Sequence, residues 1–434
     1  MLLLPFLCAG APALAAREIT DLTLTETETG VAYSFSAPYP YMLLHYKTAD
    51  ESGKLVLTGR DGRFEGDILL AHRQKGRALQ VDIKRTNGQT VEKSTMSLSR
   101  VNLPAARKAE KDAVIKVTDL TLTAGKKQMD IRFTAPGHHQ VVISYSSVLQ
   151  KGEYVLEEQS DGVFEDSLVL PCANARDMIT VTIKSLRGKN LAKAQERTAF
   201  VPPDAGETAA EGPLKGIKVC IDPGHQELKV NGGQVYQYPG AGKLVSGGNS
   251  SMAQGAVTLR KESICVLEIS YHLCRLLREQ GAEVVMTRWV EEVSITNMER
   301  AEYANEQKAD YCFRIHLNAS QEGNNNAIYV YGPSHSPYAR ALMPLEQYRD
   351  IAQTILDAMK ATTGVKGGVV RMSDQFVGNN WTKMVTFLLE CGFLSTPFND
   401  WILTTEDYQE KIARGIVDGL INTVEGRLSH FETH

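Results

Sequence analysis

The first half of the chain carries one pattern twice. Thr20-Asp21-Leu22-Thr23-Leu24-Thr25 returns as Thr118-Asp119-Leu120-Thr121-Leu122-Thr123, and Phe35-Ser36-Ala37-Pro38 returns as Phe133-Thr134-Ala135-Pro136. Asp61-Gly62-Arg63-Phe64-Glu65 matches Asp161-Gly162-Val163-Phe164-Glu165, and Ile83-Lys84 with Gly88 matches Ile183-Lys184 with Gly188. The spacing drifts only from 98 to 100 residues, which is what single-residue loop insertions between two copies of one unit produce. Each copy alternates apolar and polar residues, as in Leu22-Thr23-Leu24 and Val181-Thr182-Ile183, and breaks at Asp61-Gly62, Asn87-Gly88 and Asp161-Gly162. Half-buried strands with turns at that spacing predict a β-sandwich-like unit. Neither copy gathers catalytic side-chain types.

The rest of the organisation follows from changes of grammar. Met1 to Leu7 is mostly leucine and Ala13-Leu14-Ala15 has the small-x-small form that a signal peptidase reads, so residues 1–16 are expected to be an export signal, although a basic start is missing. Cys8 follows the bulky Phe6-Leu7, which argues against lipidation there. The copies are expected at 17–102 and 113–201, separated by Pro104 and the charged run Ala105 to Asp112. The stretch 202–214, rich in Pro, Ala and acid, has no apolar period and is expected to be an exposed, extended tether. From 215 to 430 strands and helices alternate: strands at Lys218–Ile221, Glu283–Thr287, Tyr311–Ile315, Ile328–Tyr331 and Met384–Leu389, helices at Glu262–Glu279, Met298–Lys308, Tyr348–Thr363 and Glu406–Glu425. That alternation predicts a three-layer α/β domain with a mostly parallel sheet.

A chain of 434 residues with a formal net charge of -4 carries no basic footprint for nucleic acid, and no apolar stretch is long enough for a transmembrane segment. Nothing in the sequence sets an oligomeric state. Beyond Cys8, the cysteines form no C-x-x-C pair, and several fall in or beside apolar strands, where a thiol serves as a small hydrophobe.

Chemistry concentrates at three strand ends in the second half. Ile221-Asp222-Pro223-Gly224-His225, Ile315-His316-Leu317-Asn318 and Leu388-Leu389-Glu390-Cys391 each place a metal-type or acidic group where a strand leaves an α/β sheet. Zinc hydrolases hold the ion with three protein ligands and leave one position to water, so His225, His316 and one carboxylate are the candidate ligands. Glu262, at the start of an amphipathic helix, is preferred over Glu227, which is followed by the Gly-rich stretch Val230 to Gly255. Glu390 ends an apolar run; a carboxylate there is costly unless paired or functional, and burial raises its pKa toward that of a general base. Its structural alternative is a salt bridge to Arg288 or Arg314. Ser320 has no identifiable base beside it and is read as a turn residue.

As an ordered set, Ile221 to His225, Glu262, Gly281-Ala282-Glu283-Val284-Val285-Met286-Thr287-Arg288, Glu299-Arg300-Ala301, Ile315 to Ser320 and Leu389-Glu390-Cys391-Gly392-Phe393-Leu394-Ser395 resemble the zinc-dependent N-acetylmuramoyl-L-alanine amidases of the amidase-3 family. The resemblance covers about Lys215 to Glu425. It implies zinc held by His225, Glu262 and His316, Glu390 as the catalytic carboxylate, and peptidoglycan as substrate, cut between N-acetylmuramic acid and L-alanine. With the export signal it implies a secreted or cell-wall-associated protein. Two departures stand out: Gln226 replaces the glycine that commonly follows the histidine, and the insert from Glu227 to Leu259 is long, so it could be a lid or a specificity loop. A zinc peptidase acting within the stem peptide, or an inactive wall-binding protein, are the competing expectations.

Overall fold

The computed structural model describes residues 18–70, 78–99, 116–248, 252–322 and 325–431, with backbone alone beyond 426. The expected export signal at 1–16, Cys8, and the charged run 105–112 lie outside the described residues. Among those described, no helix is long and apolar enough to cross a membrane.

The two copies adopt the same structure down to their turns. Asp21 and Asp119 both have φ of 57°, Asp61 and Asp161 have 51° and 50°, and Gly62 and Gly162 both have 77°. Phe35 stacks on Phe64 at 4.9 Å, and Phe133 on Phe164 at the same separation. Each copy layers a three-stranded sheet on a four-stranded one around an apolar core; that of the first copy also takes in Leu149 and Cys172 of the second, and Trp401. The unexpected feature is that the two four-stranded sheets are one. Glu51–Thr58 of the first copy pairs antiparallel with Gln150–Glu157 of the second, through Gln150↔Gly53, Lys151↔Ser52 and Gly152↔Glu51, making an eight-stranded sheet. These are equivalent strands, so the copies meet about a local two-fold axis, as a symmetric dimer interface would. Gly53 and Gly152 are required there: a Cβ on either would lie 2.5 Å from the ring or hydroxyl of Tyr46 or Tyr145, themselves an equivalent pair.

The α/β unit has a six-stranded sheet in the order Glu283–Met286, Lys218–Pro223, Tyr311–Asn318, Val385–Phe393, Ala327–Gly332, Gly367–Met372. Neighbours are parallel except Ala327–Gly332 against Val385–Phe393. One face packs on the helices Glu262–Glu279, Leu345–Thr363 and Glu406–Phe431, whose apolar residues form the main core. A smaller cluster, Cys220, Ala304, Ala309, Cys312 and Met384, lies on the opposite face. Cys220 and Cys312 are register neighbours and, like the other described cysteines, buried free thiols. The strand Gly367–Met372 and the short helices Pro337–Leu342, Val377–Trp381 and Pro397–Leu403 extend the expected set. They are too short for periodicity to reveal.

The stretch 202–214 departs from a free tether. Ala209 N–H donates to Arg278 O at 2.8 Å, Leu214 N–H donates to Gln280 O at 2.9 Å, and Leu214 is fully buried. The last carbonyls of the helix Glu262–Glu279 lack intrahelical partners; residues 280–282 cap Leu277 O and Arg278 O, and the linker adds a further donor to Arg278 O and one to Gln280 O.

Candidate active site

Sheet register builds the site. Asp222, Arg314 and Leu388 are neighbours across three strands, and one pleat further His316 pairs with Glu390 while Gly224 N–H donates to Ile315 O at 2.9 Å. Side chains two apart share a face, so Arg314 and His316 point to the same side. The Pro223-Gly224-His225 turn carries His225 over this face. Gly224 is essential to that approach, because a Cβ would lie 2.3 Å from His316 Cε1. His225 itself has φ of 55°, a left-handed conformation that a non-glycine residue holds only when its surroundings impose it.

Those surroundings are a buried charge network that sequence reasoning missed. Three successive carbonyls of the turn are held by two guanidinium groups. Arg288 donates to Pro223 O and Gly224 O at 3.0 and 2.9 Å; Arg300 donates to Pro223 O and His225 O at 2.7 and 2.8 Å. Gln226 accepts from Arg300 at 2.7 Å and so joins the same clamp. Asp222 anchors the arginines through Arg300 at 2.6 Å and Arg314 at 2.7 Å. Burial opposes ionisation of Asp222, but Arg300, Arg314 and the Thr287 hydroxyl outweigh it and hold the carboxyl well below its usual range. The available signal was an arginine interrupting an apolar strand at Phe313-Arg314-Ile315, since a buried charge there demands a partner. Asp222→Asn leaves two buried guanidinium groups short of their anion and is expected to destabilise the protein by about 3–5 kcal/mol in urea unfolding; a loss below about 1 kcal/mol would mean the network is replaceable.

Glu262 opens its helix where the N-terminal dipole favours a carboxylate. Its Oε2 lies 3.2 Å from His225 Nε2 and its Oε1 lies 3.1 Å from His316 Nδ1. Backbone N–H groups of Ala253 and Leu317 orient the two oxygens at 2.8 and 3.0 Å. One donor atom from each of His225, Glu262 and His316 lies within 4.8 Å of the other two. Glu227, the rival carboxylate, instead pairs with Lys261 at 3.0 Å. Burial lowers the His316 pKa to about 4, against the pull of Glu262, so its imidazole is neutral at pH 7 and has a lone pair to offer.

Glu390 makes neither of the salt bridges open to it in the sequence, because Arg314 is held by Asp222 and Arg288 by turn carbonyls and Glu291. Its Oε2 is buried without a hydrogen-bond partner among the described residues. Burial first, and the nearby Glu262 charge second, raise its pKa well above the usual carboxylate range.

The four residues line one cleft of about 640 Å³. Its far wall belongs to the insert, where Gln234–Tyr236 and Leu244–Ser246 form a hairpin and Val245, Ser246, Gly248, Met252 and Ala253 face the cleft. The hairpin is tied to the segment before and within helix Val377–Trp381: Trp381 Nε1 donates to Tyr236 O at 2.9 Å, Asn380 to Gln237 O at 2.8 Å, and Gln237 to Asp374 O at 2.9 Å.

Set beside known proteins, residues 219–422 match the family model described as N-acetylmuramoyl-L-alanine amidase. This segment belongs to that family. The match begins in the strand Lys218–Pro223 and ends in the last helix, so the amidase domain is the α/β unit. A probable cell wall amidase, LytH of Staphylococcus aureus, is 25% identical over 221 residues, which are 50% of this chain and 61% of that protein. The chain thus matches about three fifths of the length of that curated relative. Among solved structures, the N-acetylmuramoyl-L-alanine amidase from Clostridium difficile 630 is 27% identical and covers 50% of this chain and 97% of its own, with a TM-score of 0.38. Ami1 from Mycobacterium smegmatis is 19% identical over 49% of this chain and 99% of its own, with a TM-score of 0.44.

The residues of the amidase domain suit a metal ion. The Glu262 carboxylate has two imidazoles as side-chain partners and, among the described residues, no Lys or Arg ion pair. Two nitrogens and a carboxylate oxygen are a zinc donor set, and atoms about 2.0–2.2 Å from one ion stand from one another at distances like the 3.1 and 3.2 Å seen here.

Proposed function

We propose that this protein is an exported peptidoglycan hydrolase that cleaves the amide between N-acetylmuramic acid and the L-alanine of the stem peptide, with zinc held by His225, Glu262 and His316. The observation that carries the reading is the convergence of these three donors, within 4.8 Å of one another, in a single cleft beside Glu390, whose Oε2 is buried and has no hydrogen-bond partner among the described residues. The family membership of residues 219–422 and the small-x-small pattern at Ala13 to Ala15 support the substrate and the secreted or wall-associated location.

When bound, zinc lowers the pKa of a coordinated water toward about 7 and polarises the scissile carbonyl. The chain's own residues do the rest. The cleft walls hold the substrate with its amide between His316 and Glu390. Glu390 accepts the proton of the attacking water at its carboxylate and returns it to the departing amine, and its raised pKa makes it a competent donor in that second transfer. Water attacks directly, so no acyl-enzyme forms. The insert, hydrogen-bonded to the 374–381 segment, serves as a fixed specificity wall.

Incubation of the protein with purified peptidoglycan, followed by mass spectrometry, tests this. Lactyl-bearing glycan ends and new L-alanine amino termini are expected, abolished by a chelator and restored by zinc. Cleavage within the stem would reassign the protein as a peptidase, and new glycan reducing ends would make it a glycosidase.

A further inference from the structure

Trp401 belongs to the amidase domain by sequence and to the first repeat by packing. It lies in helix Pro397–Leu403, shortly after the strand that carries Glu390, yet its side chain is 4% exposed and joins an apolar cluster built mainly from the first repeat, which also takes in Leu149 and Cys172 of the second. Beside it, Asp400 is fully buried. Asp400 Oδ2 accepts from the N–H groups of Val257 and Thr258 at 2.6 and 2.7 Å, and Oδ1 accepts from the Thr258 hydroxyl at 2.6 Å. The turn it grips has no slack. A Cβ on Gly255 would lie 2.3 Å from Oδ1, and Leu259 has φ of 56°. That left-handed conformation is disfavoured for a residue with a Cβ and has to be imposed from outside.

The gripped turn ends at the proposed metal ligand. Gly255 N–H donates to Arg260 O at 2.8 Å, Glu262 N–H donates to Ala253 O at 3.0 Å, and Ala253 N–H returns a bond of 2.8 Å to Glu262 Oε2. That oxygen is the one facing His225. Contacts therefore run without a break from the core of the first repeat through Trp401, Asp400 and residues 255–258 to Ala253 and the Glu262 carboxylate. A second bolt fixes the same two units: the Tyr41 hydroxyl donates to Asp407 at 2.6 Å and accepts from Lys411 at 2.9 Å.

We propose that Asp400 is a positioning residue for Glu262, set in place by the seating of Trp401 in the first repeat, so that this repeat is a structural part of the metal site. The inference rests on the reading of His225, Glu262 and His316 as ligands. Loss of partners that orient a ligand weakens metal binding by about 10–100-fold, and a displaced Ala253 N–H is such a loss.

The test uses the full-length protein. Zinc affinity is measured by competition with a chromophoric chelator for wild type, Asp400→Asn, Trp401→Ala and Trp401→Phe, with thermal melting and near-ultraviolet circular dichroism in parallel. Asp400→Asn and Trp401→Ala are each expected to weaken zinc by about tenfold or more, and Trp401→Phe to restore most of the affinity. If Asp400→Asn does not fold, Thr258→Val, which removes one of the three bonds, is read in its place and a smaller loss in the same direction is expected. Variants that melt lower but hold zinc as tightly as wild type overturn the proposal and leave the metal reading intact. A wild type with no affinity for zinc overturns the metal reading itself.

Discussion

Glu390→Gln is expected to keep one zinc per chain while losing about 100- to 10,000-fold in turnover, the range associated with a positioned general acid–base group. Glutamine matches glutamate in size and cannot take a proton. Glu390 is not a ligand in the proposed set, and neither of its oxygens is needed to hold His316 or Glu262, whose partners are one another and backbone amides. Metal content by mass spectrometry and release of L-alanine amino groups from peptidoglycan check the two halves separately. A fully active Glu390→Gln protein would remove the base from the mechanism. The same variant carries a stability signature. Because its folded pKa is raised, Glu390 contributes stability that is complete below the ordinary glutamate pKa of about 4.3 and is lost as pH rises through the raised value. Metal-free wild type should therefore weaken relative to Glu390→Gln between weakly acid and neutral pH in denaturant titrations, and parallel pH profiles for the two would mean that Oε2 is solvated.

His316→Ala is expected to lose both zinc and activity. Removal of a ligand costs more than removal of a partner that merely orients one, so zinc affinity should fall by more than about 100-fold, measurable by equilibrium dialysis. The imidazole also supports Glu262 at 3.1 Å and packs against Gly224, so the hole left behind loosens both remaining donors. The pair of variants separates the roles: one keeps the metal without turnover, the other keeps neither. A His316→Ala protein that retains stoichiometric zinc at wild-type affinity would move the ligand assignment elsewhere.

Much of the fold and of the site is legible in the residues themselves. The repeat is visible because its turns need particular residues, and Asp61-Gly62 and Asp161-Gly162 duly take the same left-handed conformations. The helix Glu262–Glu279 reads from its apolar spacing and from Gly281, whose φ of 87° ends it. His225, His316 and Glu390 stand out because each breaks an apolar strand at its end. Helix position favours Glu262 over Glu227 in the sequence; in the structure Glu262 lies 3.2 and 3.1 Å from the two imidazoles, whereas Glu227 pairs with Lys261 at 3.0 Å.

What the sequence determined by itself is local. It set strand and helix, the face each side chain takes, the duplication, and which polar groups fall at strand ends, because all of these depend on periods of two and 3.6 residues and on the dihedral preferences of single residues. The tertiary structure alone decided which edges and cores meet. It joined Glu51–Thr58 to Gln150–Glu157, seated Trp401 in the first repeat, laid residues 202–214 along a helix end, and ran Arg288, Arg300 and Arg314 into one network around Asp222. Each of these depends on shape and charge complementarity between segments far apart in the chain, and periodicity states that a surface is apolar or a group charged without stating what will cover it.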